Sequence, residues 1–197
     1  MRVILTSKAF ANETINDKLK NELSDLDSTT AKVLYLPTAV DENIYTTDKY
    51  FSEMINFGFC EENVIRFDYK NAKDYAGLDI DVIYVTGGNT FLLLDRIKKC
   101  GFDIELRKYI ESGVIYIGRS AGSHLITKNV RHVLNFDDVG EYSGDYEGLD
   151  IWDGVLICHY DESRKCIYDE EKAKGSNVEV LTDEEMLVIG EKSYCKV

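Results

Sequence analysis

Ser120 is the residue whose setting most directly suggests chemistry. It sits in Gly113-Val114-Ile115-Tyr116-Ile117-Gly118-Arg119-Ser120-Ala121-Gly122-Ser123, where an apolar run ends in Gly-Arg-Ser-Ala-Gly. A buried strand, a sharp turn and a helix read from that order. Glycines two positions before and two after the serine let backbone pack closely around a strained elbow. The hydroxyl then stands clear of the sheet, and N–H groups at the start of the helix face whatever it attacks. Ser120 reads as a nucleophile. The same pattern also occurs in ordinary strand-to-helix turns, where the serine only caps the helix.

A serine hydroxyl needs a base, and the base needs a partner that fixes its tautomer. The chain has three histidines, His124, His132 and His159. His124 falls on the helix behind Ser120 and His132 in a polar-flanked segment, so both read as packing residues. His159 closes the apolar run Gly154-Val155-Leu156-Ile157-Cys158 and is the expected base. Cys158 should point to the opposite face of that strand. The orienting acid is sought between serine and histidine, where Asp137 and Asp138 follow an apolar approach; Asp137 is favoured. Backbone N–H groups of Ala121 and of Gly88, in Gly87-Gly88-Asn89, are the candidate oxyanion donors. Asn89 and Arg119 are the candidate substrate contacts. Asn89 could instead cap the following helix, and Arg119 could serve the surface.

The elements that must position these groups alternate along the chain. Strands read at Arg2–Leu5, Lys32–Leu36, Asn63–Phe67, Val82–Thr86 and the run before Ser120. Amphipathic helices read at Thr14–Leu26, Tyr45–Phe57, Phe91–Lys99 and Ile104–Ser112. Near-continuous apolar strands alternating with helices predict an α/β protein, a mostly parallel sheet with helices on both faces. In such sheets ligands bind at the carboxyl ends of strands. Gly87-Gly88-Asn89, Ser120 and His159 all fall at such ends. Further on, Val130–Leu134 reads as a short strand. Asn135–Asp153, with seven carboxylates and no Lys or Arg, reads as surface loop. Val178–Leu181 and Met186–Ile189 read as strands around Thr182-Asp183-Glu184-Glu185, with Ser193–Val197 as a possible edge.

Composition narrows the function classes. The 197 residues suit one domain over 1–197, and 44% hydrophobic with 30% charged residues is ordinary for a globular chain. A net charge of −13 argues against nucleic acid or an anionic membrane as partner. No run approaches the ~18 apolar residues of a membrane span, and the first residues read as a strand rather than a signal peptide. Five scattered cysteines without a Cys-x-x-Cys point to reduced thiols and a cytoplasmic protein. The acidic loop lacks the spacing of an EF-hand. Gly87-Gly88-Asn89 lacks the rest of a dinucleotide fingerprint, which keeps a nucleotide-binding reading low.

Two motifs together carry a family resemblance. Val85-Thr86-Gly87-Gly88-Asn89-Thr90-Phe91-Leu92-Leu93 followed by Gly118-Arg119-Ser120-Ala121-Gly122-Ser123 resembles the S51 serine peptidases, which include dipeptidase E and, more distantly, cyanophycinase. The resemblance runs from the first strand through the His159 strand. It implies a three-layer sandwich similar to class I glutamine amidotransferase domains (flavodoxin-like). It implies a Ser–His–Asp triad of Ser120, His159 and Asp137, with Gly88 and Ala121 as oxyanion donors. It further implies hydrolysis of short peptides, among them dipeptides with N-terminal Asp, through an acyl-enzyme, without metal or cofactor. The expected partner is a small peptide, bound by a monomer or homodimer. Ser123 stands where the family usually has alanine, and Arg164, five residues past His159, does not match the family's substrate-reading arginine. The alternative is a binding protein that keeps the peptidase fold without its catalysis.

Overall fold

The computed structural model describes residues 1–40, 49–190 and 193–197. A seven-stranded sheet forms its centre, in the order β3-β2-β4-β5-β1-β8-β9. These strands are β1 (Arg2–Thr6), β2 (Val33–Leu36), β3 (Val64–Arg66), β4 (Val82–Val85), β5 (Ile115–Arg119), β8 (Met186–Ile189) and β9 (Tyr194–Lys196). The first five of that order run parallel, and β8 and β9 are added antiparallel at the β1 edge. The expected mostly parallel α/β sheet is therefore the observed one.

Strand alternation divides the core into two layers. Val3 and Leu5, Leu34 and Leu36, and Ile83 and Val85 turn to one face. There they meet Phe91, Leu94 and Ile97 of α3 (Thr90–Lys99) and Phe102, Leu106 and Ile110 of α4 (Phe102–Glu111). Ile4, Tyr35, Tyr84, Ile115 and Ile117 turn to the other face. There they meet Ile15 and Leu19 of α1 (Glu13–Glu22) and Met54 of α2 (Lys49–Phe57). Asn12 caps α1 by accepting from Ile15 N at 2.9 Å, a bond worth about 1 kcal/mol. The expected start of α2 at Tyr45 lies outside the described residues. Among the described residues no helix is long and apolar enough to cross a membrane.

Two expectations are corrected. Val130–Leu134 is not a strand; Arg131–Asn135 forms a 3₁₀ turn. Val130 and Val133 are fully buried while Leu134 is 41% exposed, a spacing of three that suits a 3₁₀ period and not alternation. The strand leading to His159, β6 (Val155–Ile157), also lies outside the main sheet. It pairs in parallel with β7 (Val178–Val180) as a separate two-stranded sheet, bridged by α6 (Lys165–Ala173). Ile157, Ile167 and Val178 form the small core of this unit. The long acidic segment is pinned at Thr127↔Trp152 and Asn129↔Glu147, with Leu149 and Trp152 buried.

Candidate active site

β5 delivers Ser120 to a sharp turn, and α5 (Ala121–His124) begins at the next residue. Ser120 has φ 48° and ψ −105°, a region that non-glycine residues seldom occupy. Close packing holds it there. Ser120 N donates to Thr6 O at 2.8 Å, and Ser123 N and His124 N donate to Ser120 O at 2.8 and 2.9 Å. A Cβ on Gly122 would lie 2.3 Å from Val85 O, and one on Gly118 would lie 2.8 Å from Gly122 O. The two flanking glycines are thus required by contact. Ala121 is the first residue of α5, so its N–H has no acceptor within the helix. Gly87 lies beside the elbow, where a Cβ would sit 3.4 Å from Ser120 Cβ, and Gly88 follows it at φ 140°, where a Cβ would sit 2.2 Å from Ala39 O.

His159 follows β6 in the left-handed region, at φ 52°. Its Nε2 lies 3.1 Å from Ser120 Oγ, and its Nδ1 lies 2.6 Å from Asp183 Oδ1. Asp183 belongs to the turn between β7 and β8. Its carboxylate can only accept, so Nδ1 carries the imidazole proton and Nε2 presents a lone pair to the hydroxyl. Partial burial works to raise the Asp183 carboxyl. Hydrogen bonds and charge from Lys8 and His159 outweigh this and hold it below the ordinary aspartate value.

The expected acid is displaced from this line. Asp137 Oδ2 accepts from Thr90 N at 2.7 Å, at the start of α3, and not from His159. The N-terminal N–H groups of a helix offer a carboxylate a strong local partner. Asp138 also faces away from His159 in its hydrogen bonds: its carbonyl accepts from Asn89 Nδ2 at 2.7 Å, and its carboxylate accepts from Gly140 N at 3.0 Å. Asn89 Oδ1 accepts from Leu92 N at 2.9 Å, so both ends of the Asn89 amide hold the α3 cap and the loop.

Arg119 is corrected too. It shares strand parity with Ile115 and Ile117, so it points into the layer of α1 and α2 rather than to the sheet edge. It is 6% exposed and donates to Glu53 Oε2 at 2.5 Å and to Ala9 O at 3.0 Å. Its guanidinium lies 4.4 Å from the Tyr50 ring centre. That parity was legible in the sequence.

The other two histidines are buried behind the elbow. His124 Nδ1 lies 3.3 Å from Thr90 Oγ1, and its Nε2 finds no partner among the described residues. Burial, then the neighbouring His132, His159 and Arg164, push His124 well below the usual imidazole value. His132 Nε2 donates to Leu156 O at 2.8 Å, and burial pushes its pKa down to about 4. Burial pushes the Cys158 thiol up to about 12, which keeps it an inert core residue. Among the described residues no group of three or more His, Cys, Asp and Glu side chains is arranged to hold a metal ion.

A serine on a strained strand-to-helix elbow, beside an imidazole that a carboxylate orients, is the architecture of serine hydrolases built on α/β sheets. The profile of Peptidase family S51 matches residues 3–196. The chain therefore belongs to peptidase family S51. It is 38% identical over 82 residues to the Listeria innocua protein named Uncharacterized peptidase Lin0382, covering 41% of this chain and 39% of that one. Against the Drosophila melanogaster protein named "Probable alpha-aspartyl dipeptidase" it is 26% identical over 161 residues, covering 80% of this chain and 65% of the other. With the first of these relatives, the match spans about two fifths of the relative's length. In fold, the chain superposes over its full length on a protein of Listeria monocytogenes EGD-e, provisionally named Peptidase E. The TM-score is 0.77, with 22% identity and 97% of that chain covered.

Proposed function

We propose that this chain is a serine peptidase of short peptides, with Ser120 as nucleophile, His159 as base and Asp183 as the acid that orients it. The observation that carries the reading is the unbroken contact line from Ser120 Oγ through His159 to Asp183, at 3.1 and 2.6 Å. In the reaction Ser120 Oγ attacks the scissile carbonyl carbon while its proton passes to His159 Nε2. The resulting imidazolium is stabilised by Asp183 and returns the proton to the leaving amine. Water then repeats the sequence on the acyl-enzyme, releasing the acid product and restoring Ser120. The N–H groups of Ala121 and Gly88 receive the oxyanion.

The finer substrate assignment is a dipeptide with N-terminal aspartate, by analogy with the activity named for the Drosophila relative. Arg164 is the cation we assign to the acidic side chain. It donates to Cys158 O at 2.5 Å and lies 4.0 Å over the Phe136 ring, which leaves further guanidinium N–H groups for a carboxylate. A fluorophosphonate probe tests the chemistry: it should label wild type at Ser120 and leave Ser120→Ala unlabelled. A wild-type protein that resists the probe overturns the peptidase reading and favours a binding protein on the same fold. A dipeptide panel tests the specificity, which fails if Asp-X is not preferred or if Arg164→Met leaves that preference intact.

A further inference from the structure

Three residues at the end of β1 touch every part of the proposed triad. Thr6 holds the elbow: its carbonyl accepts from Ser120 N and from Ser123 Oγ, both at 2.8 Å, and its N–H donates to Ser123 Oγ at 2.9 Å. Ser7, fully buried, holds the base and the acid turn together. Its Oγ accepts from His159 N at 2.8 Å and donates to Leu181 O at 2.9 Å. Lys8 holds the acid itself, with Nζ 2.7 Å from Asp183 Oδ2. The two oxygens of Asp183 are thus divided between Lys8 and His159. Asn12 Nδ2 adds a bond to Asp183 O at 3.2 Å.

We propose that Thr6-Ser7-Lys8 is the positioning segment of the site, in which Ser7 fixes the base and the acid turn in one frame and Lys8 sets the orientation and the effective charge of Asp183. This rests on the peptidase reading of Ser120, His159 and Asp183. The reason for such a device lies in the topology. The nucleophile rides the main sheet, whereas the base rides the small β6–β7 sheet and the acid the turn beyond it. Among the described residues no backbone ladder joins β6 or β7 to the main sheet. Ser7, at the end of main-sheet strand β1, spans the join with one hydroxyl, which accepts from His159 N beyond β6 and donates to Leu181 O beyond β7. A hydroxyl has one proton to donate, and Ser7 spends it on Leu181 O.

Lys8 is a half-exposed partner, with side chains 42% and 41% exposed across the pair, so its contribution to stability is small. Its effect on the site has a definite sign. An ammonium on Oδ2 offsets part of the negative charge that favours the imidazolium. Removing it leaves that charge uncompensated and favours protonated His159. The other charges around the turn are fixed elsewhere. Lys18 Nζ donates to the Glu184 carbonyl at 2.7 Å, and Lys196 pairs with Glu185 at 2.9 Å. Arg164 donates to Cys158 O at 2.5 Å. Among the described residues Lys8 is the ammonium that pairs with the acid.

The test follows inactivation by diisopropyl fluorophosphate against pH, which reads Ser120 and its base without any peptide specificity. Lys8→Met should move the acid limb of the rate profile upward by roughly 0.2–0.7 pH unit and lower its plateau several-fold, with Lys8→Arg returning the limb to the wild-type position. Ser7→Ala should lower the plateau by about tenfold or more while circular dichroism stays native. If wild type is inactivated but Lys8→Met and Ser7→Ala follow its profile, the positioning role is overturned and the triad stands. A limb that moves in Lys8→Met and stays moved in Lys8→Arg overturns the charge role of Lys8. Failure of wild type to react at Ser120 overturns the triad and this role with it.

Discussion

His159 and Asp183 stand 24 residues apart in the chain and share a 2.6 Å contact between Nδ1 and Oδ1. Asp137, the carboxylate expected in that place, is instead bonded to Thr90 N. The proposed acid therefore follows the base in sequence, and the two aspartates separate cleanly by experiment. Asp183→Asn should lower kcat/KM by about 10³–10⁴-fold, because the amide lets the imidazole adopt the wrong tautomer. Asp137→Asn should retain most activity and lose about 0.5–1 kcal/mol of stability at the α3 terminus. Steady-state peptide kinetics and urea unfolding of both variants check this, and the reverse ranking of activities would return the acid role to Asp137.

The Arg119–Glu53 pair should be a matter of stability. Arg119 is nearly enclosed and Glu53 only partly exposed, so removing Glu53 strands the guanidinium, and removing Arg119 leaves the carboxylate with Lys49 alone, at 3.5 Å. Arg119→Met and Glu53→Gln should each lower unfolding free energy by about 2–4 kcal/mol, with strong coupling in the double variant. Urea denaturation of the four-member cycle measures it. Because Arg119 faces α2, KM for acidic peptides should not rise; a selective rise in KM would show a substrate contact.

The buried histidines should make the fold acid-sensitive. His132 is lowered to about 4, and His124 is lowered as well, so the unfolded chain binds protons that the folded one refuses. Their contribution is complete above the unfolded value near 6.5 and is lost as pH falls below it, for His132 through the window down to about 4. For His132 the loss is on the order of 3 kcal/mol. Urea midpoints between pH 7 and 4 should fall steeply in wild type and less so in His132→Gln, which keeps a donor for Leu156 O. Parallel slopes would show that His132 is not the source.

Gly122 should tolerate no side chain. A Cβ would sit 2.3 Å from Val85 O, against backbone that cannot swing aside. Gly122→Ala should cost about 2 kcal/mol or more and slow fluorophosphonate labelling by distorting the elbow. Thermal unfolding and labelling rate report the two effects separately.

Much of this was legible in the sequence because it depends on local pattern. The apolar strand runs, the elbow at Ser120 and the placement of His159 at a strand end all follow from short-range order. The acid did not, because its contact depends on how β7 pairs with β6. In that ladder Ile157 is level with Val180, and beyond it Leu181 N donates to Ile157 O and Tyr160 N donates to Leu181 O, which brings His159 beside the turn that carries Asp183. Nothing in Thr182-Asp183-Glu184-Glu185 distinguishes Asp183 from its acidic neighbours until that register is known. Asp137 drew attention by standing after an apolar approach, yet that approach ends at a helix terminus which has its own use for a carboxylate. Ser7 and Lys8 were equally hidden, since a strand end gives no sign of what crosses it.

The division of the site between two sheets has a consequence for how the protein should lose function on heating. The hydroxyl belongs to one folded unit and its proposed proton relay to another, so a slip at their seam would uncouple the chemistry while each unit kept its hydrogen-bonded ladders. Peptide turnover should then fade at temperatures where far-ultraviolet dichroism still reports intact strands and helices. Cooling should bring it back, as the seam closes again over Ser7.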